Sequence, residues 1–268
     1  MKLAHEPSGL ASASPSALRL SGRYYRQYPA SNPLGGIEEP LELAVSETVF
    51  LLIDVYGTAY EPGAPADPDL PSFYRPARGD MNAEIVQQRI VPAKAKAKAA
   101  GLKVVYVTNY LSPGLTEDSE WRNMSIRTCG VDVLEAWQPP TPILEHASII
   151  APQPGEPVVQ KQLYSGFFET HLDSLLRSYR ARNLVVVGFD AQICLATTVT
   201  EAMYRNYRVI ALRDAIRTKE YPETEAGEWA NFMAVRFIES NVGYTATTAD
   251  FVRACDELIE ARDARGGS

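Results

Sequence analysis

Cysteine and histidine are both scarce. The chain of 268 residues holds three of each: Cys129, Cys194 and Cys255, and His5, His146 and His171. Three cysteines are too few, and odd in number, for a disulfide framework, so free thiols in a reducing compartment are expected. Three scattered histidines offer no zinc-ligand spacing, and no metal or other cofactor is expected. Basic charge is not in excess either. Lys plus Arg is 26 against 33 Asp plus Glu, a formal net charge of −7. That argues against a nucleic-acid partner, because binding phosphates needs a basic face. No run approaches the roughly 18 apolar residues of a membrane span. The opening Met1-Lys2-Leu3-Ala4-His5-Glu6 has no apolar run of signal-peptide length, so a cytoplasmic protein without a membrane partner is expected. There is no Gly-rich phosphate loop, and Ser165-Gly166 lacks the nucleophile-elbow pattern.

What is present suits a globular domain. Hydrophobic residues make up 46% and charged residues 22%, which excludes general disorder, and the length fits one α/β domain. Six short apolar runs read as strands: 48–53, 102–107, 147–150, 184–187, 208–212 and 241–244. Few alternate strictly, as expected of strands buried on both faces. Helical spacing separates them. Ile85, Val86, Ile90, Ala93 and Ala97 share one face, as do Leu172, Leu175, Leu176 and Tyr179, and Trp229, Phe232, Met233 and Phe237. Strand–helix alternation predicts an α/β fold, a parallel sheet with helices on both faces. Residues 1–44 read as an N-terminal tail, mobile to about residue 22, and an aromatic arm. Residues 45–262 form the domain. The arm's Tyr24, Tyr25 and Tyr28 pack either on a neighbouring subunit or on their own domain. Two long loops stand out, 61–80 with five prolines and the polar 110–127. Loops of that length in a compact domain are usually functional.

The chemistry gathers at strand ends. In an open parallel sheet, ligands bind beyond the carboxyl ends of the strands, where the strand order reverses. The first run ends in Ile53-Asp54, and a carboxylate closing an apolar strand is costly unless solvated, paired or used. The fourth ends in Val187-Gly188, and Phe189-Asp190-Ala191-Gln192-Ile193 leads to Cys194, which opens a helical stretch. A helix N-terminus lowers a thiol pKa and offers N–H groups to an anion. If the strands before Asp54 and Cys194 are neighbours at the switch point, the two side chains face each other across one crevice. Lys161 is the third candidate, just before Tyr164-Ser165-Gly166-Phe167-Phe168. Asp54 then takes the thiol proton, while Lys161 holds Asp54 and favours the thiolate. Each residue alone also has a bland reading: a buried inert thiol, a turn aspartate, a solvated lysine. His146 and His171 leave a Cys–His pair open. Cys129 and Cys255 read as structural or incidental.

Asp54 after an apolar strand, Lys161 in the middle and Cys194 after Gly188 resemble the isochorismatase-like cysteine hydrolases in order and approximate spacing. Tyr164-Ser165-Gly166-Phe167-Phe168, Thr170, Leu172-Asp173-Ser174, Leu176-Arg177-Ser178, Ala59-Tyr60 and Pro62-Gly63 resemble the ureidoacrylate amidohydrolases within that family. The resemblance covers roughly residues 45 to 255. It implies a six-stranded parallel sheet in a Rossmann-like three-layer sandwich, an Asp54–Lys161–Cys194 triad, frequent homo-oligomers (dimers or tetramers) and hydrolysis of amide or ureide C–N bonds without an obligatory cofactor. Members acting on a vinyl ether lack the Cys, so Cys194 points to C–N chemistry. The family pattern also implies a cis peptide, here Phe189–Asp190. This chain departs from the pattern at Tyr56 and Gly57, where many relatives carry Gln and Asn or Asp, and at Asp190, where they carry Ala or Thr.

The reading is a cysteine amidohydrolase of a small ureide, carbamoyl compound or amide, working through a thioester and releasing ammonia. Backbone N–H groups of Asp190 and Cys194 form the oxyanion hole. Tyr60, Asn109, Trp121 and Gln192, in loops at strand ends, are the expected substrate contacts. The alternatives are an isochorismatase-type C–O hydrolase and a catalytically silent binding protein of the same fold. The Asp190 carboxylate either faces the substrate and selects a cationic one, or turns away to cap nearby backbone.

Overall fold

A computed structural model describes residues 16–64, 81–110, 117–130, 132–136 and 144–266. The strands are β1 (Ala17–Arg26), β2 (Gly35–Ala44), β3 (Thr48–Ile53), β4 (Lys103–Asn109), β5 (Val158–Lys161), β6 (Asn183–Gly188), β7 (Arg208–Ile216) and β8 (Tyr244–Ala246). They form one sheet in the order β2-β1-β8-β7-β6-β3-β4-β5. From β3 to β8 every pairing is parallel, which gives the expected six parallel strands. The antiparallel hairpin β1–β2 extends the sheet to eight, joining β8 through Arg23 and Thr245.

That hairpin corrects the reading of residues 17–22 as mobile tail. Leu18 and Leu20 on β1 and Leu41 and Leu43 on β2 alternate with polar residues, pair across the ladder, and are buried in the core. This is the period-two signature of a sheet with one buried face. Arg23 donates to the buried Glu239 carboxylate at 2.6 Å, Tyr24 meets Tyr244 edge-on, and the Arg236 guanidinium lies 4.0 Å from the centre of the Tyr25 ring. So the arm packs on its own domain, while Tyr28 stays exposed. Residues 1–15 lie outside the described residues.

Helices cover both faces. On one lie α1 (Met81–Ile85), a π-helical stretch (Val86–Ile90), α2 (Val91–Ala99) and the last helix, α8 (Thr248–Gly266). Val86, Ile90, Ala93 and Ala97 bury the predicted stripe there against Phe251 and Ala254. Between β4 and β5 come α3 (Glu120–Cys129) and the short α4 (Val133–Ala136). The second half of the expected 110–127 loop is therefore helix, and most of the 61–80 loop lies outside the described residues. The other face carries α5 (Leu172–Ser178), α6 (Cys194–Tyr204) and α7 (Trp229–Asn241). Among the described residues no helix is long and apolar enough to cross a membrane.

Three expectations fail for local reasons. Residues 147–150 form a turn whose Ala147 and Ile150 are buried by packing alone. The strand beside β4 is instead Val158–Lys161, only four residues long and burying just alternate side chains, too short to announce itself. The 241–244 run is displaced because α7 continues through Asn241, and the strand begins at Tyr244. The stripe Trp229, Phe232, Met233 and Phe237 faces outward, 57%, 46%, 54% and 41% exposed, while Ala230, Ala234 and Ile238 bury the opposite face of α7.

Candidate active site

The chain builds β3, β4 and β5 outward, then returns to lay β6 against β3, so the strand order reverses between β3 and β6. Ligands of open parallel sheets bind at such a reversal. Ile53 and Gly188 end the two strands in register. Gly188 has φ 119°, and a Cβ there would meet the Ile53 carbonyl oxygen at 1.9 Å, so only glycine fits. Asp54 follows Ile53 in a left-handed conformation, φ 51°, which Asp tolerates better than most residues. Its N–H donates to Val107 O at 2.9 Å.

The fold brings Asp54, Lys161 and Cys194 together. Lys161 Nζ lies 2.8 Å from Asp54 Oδ2 and 3.4 Å from Cys194 Sγ. All three side chains are buried; Lys161 is fully inaccessible. Lys161 also donates to the Leu163 carbonyl at 3.2 Å and to Asn109 Oδ1. Asp54 Oδ1, equally buried, has no hydrogen-bond partner among the described residues. A carboxylate with one oxygen held by an ammonium and the other unengaged is arranged to take a proton.

The electrostatics correct one expectation. Burial pushes the Asp54 carboxyl up, and the Lys161 charge pulls it only part of the way back. Burial opposes the Lys161 charge, yet Asp54 and Cys194 hold its pKa above the ordinary lysine value. The thiol of Cys194 is pushed up, first by burial and then by the Asp54 charge, with Lys161 opposing. Lys161 is paired with Asp54 beside a thiol that burial disfavours as thiolate.

Cys194 opens α6 and is preceded by a tight turn that includes a cis Phe189–Asp190 peptide, as the resemblance implies. In this turn the Ala191, Ile193 and Leu195 N–H groups are taken by carbonyls, and that of Gln192 by Asp190 Oδ1. The N–H groups of Asp190 and Cys194 donate to no described acceptor. The Asp190 carboxylate turns to backbone, the capping alternative. It accepts from Gln192 N at 2.9 Å, Lys219 N at 3.2 Å and the Thr218 hydroxyl. Thr198 Oγ1 donates to Cys194 O at 2.6 Å and accepts from Gly166 N at 2.9 Å, fixing the Tyr164–Phe168 loop against α6.

The expected substrate contacts scatter. Asn109 is in the cluster, and its amide Nδ2 donates to the Tyr56 hydroxyl at 2.6 Å. Tyr60 leans on Phe189, ring centres 6.1 Å apart. Gln192 donates to Ala230 O at 3.0 Å, tying the cysteine turn to α7. Trp121 sits half-buried in the first turn of α3. Tyr56 enters the site where sequence reasoning saw only a departure from the family pattern. His146 lies beside Gly57 and meets Tyr106 edge-on, and His171 precedes α5; no described contact pairs either with Cys194. Among the described residues, no three His, Cys, Asp or Glu side chains cluster as metal ligands would.

The isochorismatase domain model matches residues 49–250. The ureidoacrylate amidohydrolase RutB of Azorhizobium caulinodans is 30% identical over 236 residues, covering 84% of this chain and 97% of that protein. Its counterpart in Methylorubrum extorquens is 30% identical over 232 residues, covering 81% and 86%. Among solved structures, a cysteine hydrolase from Pseudomonas syringae pv. phaseolicola aligns with a TM-score of 0.66 at 24% identity, covering 81% of this chain and 95% of that one. An N-carbamoylsarcosine amidase from Thermoplasma acidophilum aligns with a TM-score of 0.52 at 24% identity, covering 75% and 96%.

Proposed function

The chain belongs to the isochorismatase family of hydrolases, and from that premise we propose that it is a cysteine amidohydrolase cleaving a C–N bond of a small ureide, carbamoyl compound or amide. The observation that carries this reading is the buried triad, with Cys194 and Asp54 both within bonding distance of Lys161 and one Asp54 oxygen unengaged. The RutB relatives, named for their action on ureidoacrylate, support the ureide class. Cys194 Sγ attacks the carbonyl carbon as its proton passes to Asp54. The oxyanion meets the Asp190 and Cys194 N–H groups. Asp54 returns the proton to the leaving nitrogen, which departs as the C–N bond breaks. A water that loses its proton to Asp54 then cleaves the thioester and restores the thiol. Lys161 keeps Asp54 ionised until each proton arrives. The raised thiol pKa favours attack coupled to proton transfer over a preformed thiolate.

The test is ammonia release from a panel of ureides and primary amides, with Cys194→Ser and Cys194→Ala beside the wild type. Folded variants without turnover are expected; near wild-type turnover in either removes Cys194 as nucleophile. The free thiols of Cys194 and Cys255 support a cytosolic setting. The expected homo-oligomer belongs to the same reading, with a second copy covering the exposed face of α7. Its four large side chains expose on the order of 400 Å², by the area aromatic residues bury, about half of one side of a standard interface.

A further inference from the structure

Asn109 and Lys161 are register partners at the ends of β4 and β5, which sets both side chains on one face of the sheet. A lysine ammonium has three N–H donors. Three oxygens stand around Lys161 Nζ: Asp54 Oδ2, Leu163 O and Asn109 Oδ1. Cys194 Sγ, at 3.4 Å, is a fourth and weaker acceptor. Asn109 is therefore a neutral competitor of the sulfur for a lysine proton. Its orientation is fixed from the far side, because Nδ2 donates to the Tyr56 hydroxyl and the carbonyl end of the amide must then face the ammonium.

We infer that Asn109, tethered by Tyr56, is a positioning residue that holds the Lys161 ammonium on Asp54 and off the thiol, rather than a substrate contact. This rests on the proposed cysteine chemistry and adds to it. The competitor must be uncharged, since a second carboxylate here would divide the lysine charge and leave Asp54 less ionised. The titratable groups facing the sulfur are Asp54 beyond β3, Lys161 on β5 and, through Asp54, Asp190 in the turn before α6. The Tyr56 hydroxyl meets the group at the Asn109 amide.

The test is the pH profile of iodoacetamide alkylation at Cys194, followed by peptide mass, which needs no substrate. Asn109→Asp, isosteric but charged, is expected to shift the profile to higher pH and slow alkylation at neutral pH at least about tenfold, the effect of one nearby like charge. Asn109→Ala returns a lysine proton to sulfur and is expected to shift the profile to lower pH, speeding alkylation about fivefold, the worth of one hydrogen bond. Tyr56→Phe shifts it the same way by less, and adds nothing to Asn109→Ala. Opposite shifts along the pH axis are not produced by general loosening, which would raise the rate without moving the profile. Unmoved profiles in the folded variants, or shifts of one sign, overturn the inference whatever the ureide panel shows. If Asn109→Asp does not fold, the other two decide: a shift to lower pH in Asn109→Ala, smaller in Tyr56→Phe and not additive with it, supports the inference, and an unmoved profile or a shift to higher pH overturns it. A rise in KM with an unmoved profile returns Asn109 to the substrate. A panel without turnover but with opposite shifts removes the amidohydrolase reading and leaves the Asn109 role standing.

Discussion

Lys161 and Asp54 form an ion pair from which water is almost excluded, Nζ 2.8 Å from Oδ2, with side chains 0% and 6% exposed. Removing one partner strands the other charge. Lys161→Met is expected to cost about 3–5 kcal/mol of stability at neutral pH, read as a lowered Tm. Without the lysine, the folded pKa of Asp54 rises further above that of the unfolded chain. For a raised carboxyl, stability is fullest below the unfolded value, 3.8, and is lost as pH rises through the folded one. The gap between variant and wild type should therefore narrow on acidification. A gap that stays constant or widens contradicts a charge-based cost.

Much of this site was legible in the sequence, for a topological reason. Asp54 and Cys194 each follow an unbroken apolar strand, and parallel sheets put such ends at one rim. Their adjacency needed β3 beside β6, which the structure has. The role of Asn109 was not legible: nothing marks which residue of the short edge strand β5 will be its register partner. The outward stripe of α7 misled for a different reason. Ala230, Ala234 and Ile238 also repeat at helical spacing, and periodicity alone cannot say which of two apolar faces the sheet takes. The hairpin was missed because its alternation is carried by only four leucines among charged residues.

The Asp190 carboxylate brackets the cysteine turn. It accepts from Gln192 N, Lys219 N and Thr218 Oγ1. Asp190→Ala leaves these donors unpaired and is expected to cost roughly 1–3 kcal/mol of stability. Turnover of a cationic and of a neutral ureide should fall by the same factor, because the carboxylate is taken up by Gln192 N, Lys219 N and the Thr218 hydroxyl. A selective loss of kcat/KM for the cationic substrate would restore the specificity role.

Cys255 is expected to shape the alkaline limb of stability. It is fully buried on α8, and burial pushes its thiol up from 9.0 to about 12. A raised folded pKa gives stability that is complete below the unfolded value and is lost as pH rises through the folded one. Between these values the unfolded chain gives up a proton that the fold retains, so stability falls by about 1.4 kcal/mol per pH unit. Cys255→Ala loses some packing at neutral pH but flattens that slope by close to one proton. Denaturant titrations at several alkaline pH values measure it, and an unchanged slope would show that Cys255 does not titrate in this way.

The last prediction concerns assembly. The exposed stripe of α7 runs Trp229, Phe232, Met233 and Phe237, with Trp229 packed edge-on against Phe232. The N-terminal end of this helix is tied to the cysteine turn, since Gln192 donates to Ala230 O. A second copy on this face therefore lies close to the active-site rim. Deleting the arm tests assembly poorly, because Leu18 and Leu20 are core residues and their loss perturbs the fold itself. Surface substitution is better: Met233→Glu with Phe237→Glu places like charges across any two-fold contact and touches little of the core. Light scattering at micromolar concentration should give an oligomer for the wild type and a monomer for the double variant, with unchanged circular dichroism. A monomeric wild type, or a variant of unchanged mass, removes α7 as the interface.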